Sequence, residues 1–501
     1  MSKLRVIAFA LIAVLGVGLL AACQPDEAES KQTVSSTTSY GETVGLKLPD
    51  MNWGGRTVTI CAVGNEGTFG AAEWAPTETN DEPVNDATFE RNAIIKEKYG
   101  IEIRVDNKKD FSEVVTAVTN NVDNGGSEYQ IAATAIHRLA TSLASDGKLY
   151  DLNQANALAG VDYLDLTAEW WDQAAVRDLS IHGVNFFATG DICVTDNAAT
   201  WAVFFNKDIV TENGIEDLYQ AVRDDRWTLD LMHQSAKQAT KLVGNQMDFT
   251  AETDDTWGMV VQSYDGVAFM GGCAQSMVAK DEDDTPLMRI LDARNVAVFA
   301  EVFDLLLDEA YVGVADLHGS WTSGIYGVQK SIFSNGHALF MPCHLAEVDT
   351  EHMRNADIRY GILPMPKVDE LQEEYSSHGN IYSCTVATIP ISVVENDDLP
   401  LTLFAMEAMA YYGREMVTDE YYEVTLKNKR FNDDDSPEML DIISKNRTYD
   451  LSAIYDWGSA LYLYTNLIGS KNNTLVSSAE KYLEAIEADL RATVEAVDAI
   501  R

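Results

Sequence analysis

Cysteine is scarce, and its spacing pairs with nothing. The chain carries six, at Cys23, Cys61, Cys193, Cys273, Cys343 and Cys384. They lie far apart with no C-x-x-C among them, which argues against a disulfide framework and a zinc site. Cys61 and Cys384 fall in apolar, strand-like runs and read as buried thiols. Positive charge is scarce too: 36 Lys and Arg stand against 79 Asp and Glu, a net −43. A field of that sign repels phosphate backbones and anionic lipid heads, so no nucleic-acid partner is expected. No G-x-S-x-G elbow, H-E-x-x-H pair or Walker A loop occurs, and the eight histidines show no metal-ligand spacing. The acidic stretches at Asp281–Asp284 and Asp433–Asp435 lack the glycine and distal glutamate of an EF-hand loop and read as solvated turns. No metal and no cofactor are therefore expected.

What is present is the composition of a globular chain. At 46% hydrophobic and 23% charged, its 501 residues can bury a large core, and at roughly 150 residues per domain they suggest three compact units or two larger lobes. At the N-terminus, Lys3 and Arg5 precede an apolar run from Val6 to Ala22, the layout of a secretory signal peptide over 1–22. The run ends Leu20-Ala21-Ala22-Cys23, which resembles the lipobox of bacterial lipoproteins and makes Cys23 the expected lipid-anchored first residue of the mature chain. From Gln24 to about Gly45 the sequence is rich in Ser, Thr and Glu, so 23–50 reads as a flexible tether. As a coil it reaches about 25 Å from the anchor.

Beyond the tether the pattern is α/β. Arg56 to Val63 reads as a strand, handing over to a loop at Gly64-Asn65-Glu66. A helix capped by Asn85 or Asp86 ends at Gly100, and Ile101 to Val105 is a second strand. An amphipathic helix follows with Phe111, Val114, Val115, Val118 and Val122 on one face, then a third strand from Tyr129 to Ala135. This β-α-β-α-β order implies a mostly parallel sheet flanked by helices, with ligands beyond the carboxyl ends of its strands. Those ends are Glu66 and Ile136-His137-Arg138. A second α/β region starts at Trp201–Asn206, with a helix capped by Thr228, another after Asp292, and strand-like runs at Ala338–Met341, Tyr360–Leu363 and Cys384–Ile391.

Several phrases in this order resemble the family 1 extracellular solute-binding proteins of ABC importers, carbohydrate type. They are Glu82-Pro83-Val84-Asn85-Asp86-Ala87, Trp170-Trp171-Asp172-Gln173, Phe205-Asn206-Lys207-Asp208, Trp227-Thr228-Leu229, Tyr360-Gly361-Ile362-Leu363-Pro364 and Tyr449-Asp450-Leu451. The resemblance implies a two-lobed, type II periplasmic-binding-protein-like fold, each lobe a mostly parallel sheet flanked by helices. It also implies hinge crossings near Gly190-Asp191, Pro342-Cys343 and Ser383–Ile391. The first lobe would then comprise 51–190 and 343–385, and the second 191–342 and 386–501. The implied function is capture of a small solute for delivery to ABC permease subunits, by a monomer anchored on the extracellular face of the cell membrane. The family's sugar-contacting positions after the third strand match Ile136, His137 and Arg138, whereas an aromatic often found after the hinge proline is replaced by Cys343 and His344.

A sugar presents flat C–H faces and a rim of hydroxyls, so its binder needs rings to stack on and polar groups for the rim. Trp201, Tyr264, Trp321, Tyr382 and Trp457 lie beside loops or crossings and are the candidate rings. Glu66, His137, Arg138, Asp191, Asp196 and His344 are the candidate rim groups, with structural roles as caps, salt bridges or packing residues the alternative for each. Two other functions fit the same residue types. An extracellular carbohydrate-active hydrolase would use a carboxylate pair such as Asp191 and Asp196, and a lipid-anchored sensor would pass its loaded shape to a signalling receptor. The reading adopted is a binder with no catalytic residue.

Overall fold

The run R-T-V-T-I-C-A-V, rich in β-branched and small apolar residues, forms β1 (Arg56–Val63). The computed structural model describes residues 45–63, 73–396, 398–423, 426 and 433–500. The expected signal peptide, Cys23 and most of the tether lie outside the described residues, as does Glu66. β2 (Ile101–Lys108) and β3 (Ile131–Ala135) lie parallel to β1 on either side. β3 is buried along its whole length whereas β2 is mostly half-buried or exposed, as a central and an edge strand should be. The helix before β2 starts at Pro83 rather than after Asn85, because a proline ring presets the backbone for the first helical turn and has no N–H to leave unbonded. It ends as expected at Gly100, whose φ of 63° is left-handed. In the next helix, Phe111–Asp123, Val114 and Val118 are fully buried and the Asp110 carboxylate accepts the Glu113 N–H.

The chain then crosses through 190–200 into a second sheet. Its strands are β4 (Trp201–Asn206), β5 (Trp257–Val261), β8 (Val312–Val314), β9 (Ala338–His344) and β10 (Tyr360–Leu363), in the order β10-β4-β9-β5-β8. β5 runs parallel to β8 and β9, and β4 antiparallel to β9 and β10. A hairpin of β6 (Val278–Lys280) and β7 (Pro286–Met288) projects between β5 and β8 in the chain. After β11 (Ser377–His378), β12 (Thr385–Thr388) returns to the first sheet, antiparallel to β3, and gives the order β12-β3-β1-β2. β13 (Arg447–Thr448) pairs with β11.

Two boundaries differ from expectation. Residues 343–385 do not return to the first lobe, because β10 is hydrogen-bonded to β4 in the second sheet. Gly361 permits that pairing: a Cβ there would stand 2.1 Å from the Tyr219 hydroxyl and 2.8 Å from the Phe205 ring. The return comes at 379–384 instead. Nor does all of 386–501 belong to the second lobe, since the buried helix Leu399–Gly413 packs with Ile60, Ile95 and Ile131 against the first sheet. The described cysteines are free and buried.

Candidate ligand-binding cleft

The carboxyl ends of the parallel strands in both sheets converge on one set of rings. Beyond β3, the Ile136 N–H donates to the Cys384 carbonyl at 2.9 Å, tying this strand end to the turn before β12. Asn380 shapes that turn: its Oδ1 accepts the Tyr382 N–H and its carbonyl accepts the Ser383 and Cys384 N–H groups. His137 and Tyr382 thereby meet edge to face, with ring centroids 5.1 Å apart. The run continues into the second sheet, with Tyr382 to Tyr264 at 5.9 Å, Tyr264 to Trp201 at 6.2 Å and Trp201 to His344 at 6.1 Å. Trp201 opens β4 and His344 closes β9, and the two are register partners. Tyr264 follows β5 at the start of the helix Asp265–Gly272. Each ring pair contributes about 0.5–1.5 kcal/mol beyond its buried area, so the run is held in place.

Burial works against charge on the imidazoles and phenols here. Burial pushes the His344 imidazole down to about 4, and its Nδ1 is buried without a hydrogen-bond partner, as is the Ser263 hydroxyl. Burial also lowers His137, whose Nδ1 lies 3.1 Å from the Ile454 carbonyl. The phenols of Tyr264 and Tyr382 are raised by burial and stay protonated, and the Tyr382 hydroxyl lies 2.5 Å from that of Tyr462. The floor thus offers ring faces and neutral donors and acceptors.

No family model and no curated protein sequence matches the chain. Solved structures do match. The GacH receptor of Streptomyces glaucescens, solved unliganded and with acarbose, is 14% identical, with 89% of this chain and 98% of that one covered at a TM-score of 0.51. A cyclo/maltodextrin-binding protein complexed with maltotetraose is 14% identical over 88% and 96% of the two chains, at 0.53. An ABC substrate-binding protein from Listeria monocytogenes in complex with cycloalternan is 12% identical over 89% and 98%, at 0.51. The fold is that of the two-lobed solute-binding proteins. In these terms the first sheet and the second sheet are the two lobes, and the ring run spans the join between them.

Of the residues expected at the site, His137, Trp201, Tyr264, His344 and Tyr382 come together. Trp321 stands apart at 73% exposed, in the loop after β8. That loop is tied to the run, since Asp316 accepts both the Ser263 N–H and the Tyr326 hydroxyl at 2.7 Å. Arg138 is exposed on the short helix after β3.

Asp191, Asp196 and Trp457 are not members of the ring run and have partners in the hinge and core. Asp191 is half-buried, accepts the Thr418 hydroxyl at 2.7 Å, and is pushed by burial to about 7. Asp196 accepts Arg447 Nη1 at 2.8 Å. Trp457 is only 2% exposed, stacks on Tyr455 at 5.6 Å and donates Nε1 to Thr493. In each case the hinge or core supplies at least one partner, while Asp196 Oδ1 is buried with no hydrogen-bond partner among the described residues.

Sequence reasoning missed Tyr462, Asn380 and Arg447. Gly379-Asn380 before an aromatic is a turn signal that points to the second of these. Arg447 ties the crossing together: its Nη1 also meets Asp172 Oδ2, its Nη2 meets Asn197 Oδ1, and its Nε donates to the Thr200 hydroxyl at 2.7 Å. Asp172 in turn accepts the Ala174 and Ala175 N–H groups that open the helix Gln173–Asp178. One buried guanidinium thus joins a first-lobe helix, the crossing segment and β13.

Proposed function

We propose that this chain is the solute-binding component of an ABC importer and captures a mono- or oligosaccharide between its lobes. The observation that carries the reading is the ring run from His137 through Tyr382, Tyr264 and Trp201 to His344, with members on both lobes. Stacked C–H faces of a sugar fit such a surface, and its hydroxyls fit neutral imidazole, phenol and amide groups. The ligands of the similar structures, acarbose, maltotetraose and cycloalternan, support the same class. The exposed Trp321 ring is the platform at the edge of the second lobe. A ligand that touches both lobes favours the closed state by the affinity the open state lacks, and a permease reads that closure. Anchoring through Cys23 on the extracellular face of the membrane, as a monomer, completes the reading.

The test is calorimetric titration of the full chain with a panel of mono- and oligosaccharides, with thermal unfolding alongside. Saturable binding stabilises the folded chain by about 2.7 kcal/mol at a hundredfold excess over Kd, and the sugar is recovered unchanged. Binding confined to peptides or other non-sugars, or release of a cleaved product, overturns the proposal.

A further inference from the structure

A cavity of about 560 Å³ is lined by no member of the ring run. The helix Asp265–Gly272 separates the two places, following Tyr264 at one end and presenting Gly271 to the cavity at the other. The cavity is bounded by Asp178 at the end of a first-lobe helix, by the β6–β7 hairpin of the second lobe, and by His378, Thr448 and Tyr449. Its size is within the usual range for small-molecule sites.

The charge balance of this cavity is uneven. Both cations on its wall are already engaged: Arg177 donates to both oxygens of Asp178, at 2.7 and 3.0 Å. Lys280 binds Asp284, the carbonyls of Arg177 and Ser180, and the Ser180 hydroxyl. Asp281 and Glu282, both exposed at the mouth, form no salt bridge with a Lys or Arg among the described residues, and His182 is the one ring that acts on Asp281. The Asp281 carboxylate accepts the Asp283 and Thr285 N–H groups, which keep it ionised.

On the inner side, His378 is only 8% exposed. Its Nδ1 is 2.7 Å from the Thr448 hydroxyl, while its Nε2 bonds to no group of the described residues. The ring is fixed by close packing on Gly271, where a Cβ would stand 2.3 Å from it. Burial lowers its pKa, and the nearby buried Asp450 carboxylate opposes that shift. A fixed, unbonded ring nitrogen inside a cavity with two free carboxylates at its mouth suits a donor that carries positive charge.

We propose that this cavity is a second binding site, for a small organic cation bearing primary ammonium groups, with Asp281 and Glu282 as counter-charges and His378 Nε2 as a hydrogen-bond acceptor. The hydroxyl of Ser376 adds a further acceptor, and Leu451 and the Tyr449 ring cover the carbon skeleton. An anion is repelled by the same carboxylates, and a neutral polyol leaves them without compensation. This site does not depend on what the cleft binds.

The probe is 1,5-diaminopentane titrated into the full chain by calorimetry at low ionic strength, with 1,5-pentanediol as the uncharged counterpart. The diamine is expected to bind saturably and the diol not at all. Asp281→Asn with Glu282→Gln, both on the surface, should weaken binding about tenfold, equivalent to about 1.4 kcal/mol. His378→Asn keeps a polar atom facing Thr448 and removes Nε2, and should weaken binding by at least as much. Tyr382→Ala should leave diamine binding unchanged. No saturable heat with the diamine, equal binding of the diol, or full binding in the surface variant overturns the site. Loss of diamine binding in Tyr382→Ala places the ligand in the cleft and overturns it as well.

Discussion

Replacing Arg447 with Met keeps a side chain of similar length and removes the only cation in the cluster at the crossing. Asp172 and Asp196 would then face the same space with no counter-charge, their side chains 7% and 3% exposed. The guanidinium also loses its bonds to Thr200 and Asn197. Removing one partner of a buried ion pair costs about 3–5 kcal/mol, because the remaining charge keeps its desolvation penalty and loses its compensation. The pH dependence has a definite sign. Burial already raises Asp196 and Arg447 opposes that shift, so without the arginine Asp196 titrates higher. The folded variant then holds more protons than the unfolded chain near neutrality, and its stability climbs as pH falls toward the ordinary carboxylate range. Urea unfolding followed through the nine tryptophans measures both effects. Adding Asp196→Asn should restore part of the loss, leaving Asp172 alone to be compensated. A single variant within about 1 kcal/mol of the parent at neutral pH, the value of an ordinary surface pair, with an unchanged pH slope, refutes the reasoning.

Tyr382→Ala removes the ring between His137 and Tyr264 and should weaken sugar affinity at least about tenfold; Trp457→Phe, in the core, should leave affinity unchanged and lower the unfolding midpoint. Trp321→Ala should weaken sugar binding while shifting stability by no more than about 0.5 kcal/mol, since the ring is exposed. Burial raises Asp191 to about 7 and Glu73 to about 8, so the folded state binds extra protons and stability should fall as pH rises from the ordinary carboxylate range through these values. Thermal melts across that window check the sign, and Asp191→Asn should flatten the decline. Gly361→Ala should cost about 1–3 kcal/mol through overpacking against Tyr219, measured by chemical unfolding.

Local pattern accounts for most of the elements. Val114 and Val118 repeat at helical spacing, Gly100 permits a left-handed turn, and β-branched residues fill β1, and each of these is a short-range preference that needs no distant partner. The candidate rings were legible only as aromatics beside loops or crossings, a ground that took in the buried Trp457 together with Trp201, Tyr264 and Tyr382. Sheet membership was not legible. Tyr360–Leu363 is a four-residue apolar run, too short for its period to say whether it pairs beside β4 or beside β3, and only the hydrogen bonds to β4 settle it. The same holds for Leu399–Gly413, which is buried almost all round and so carries no face that points to one lobe.

Sequence alone determined the first three strands with the two helices between them, the acidity of the chain and the supply of candidate rings, since these depend on neighbours within a few residues. Tertiary structure decided which carboxylates were available. The fold sets Asp191 and Asp196 beside Thr418 and Arg447, partners 227 and 251 residues away. A buried charge must be bonded or neutralised by whatever group the fold brings near it, and chain position does not name that group.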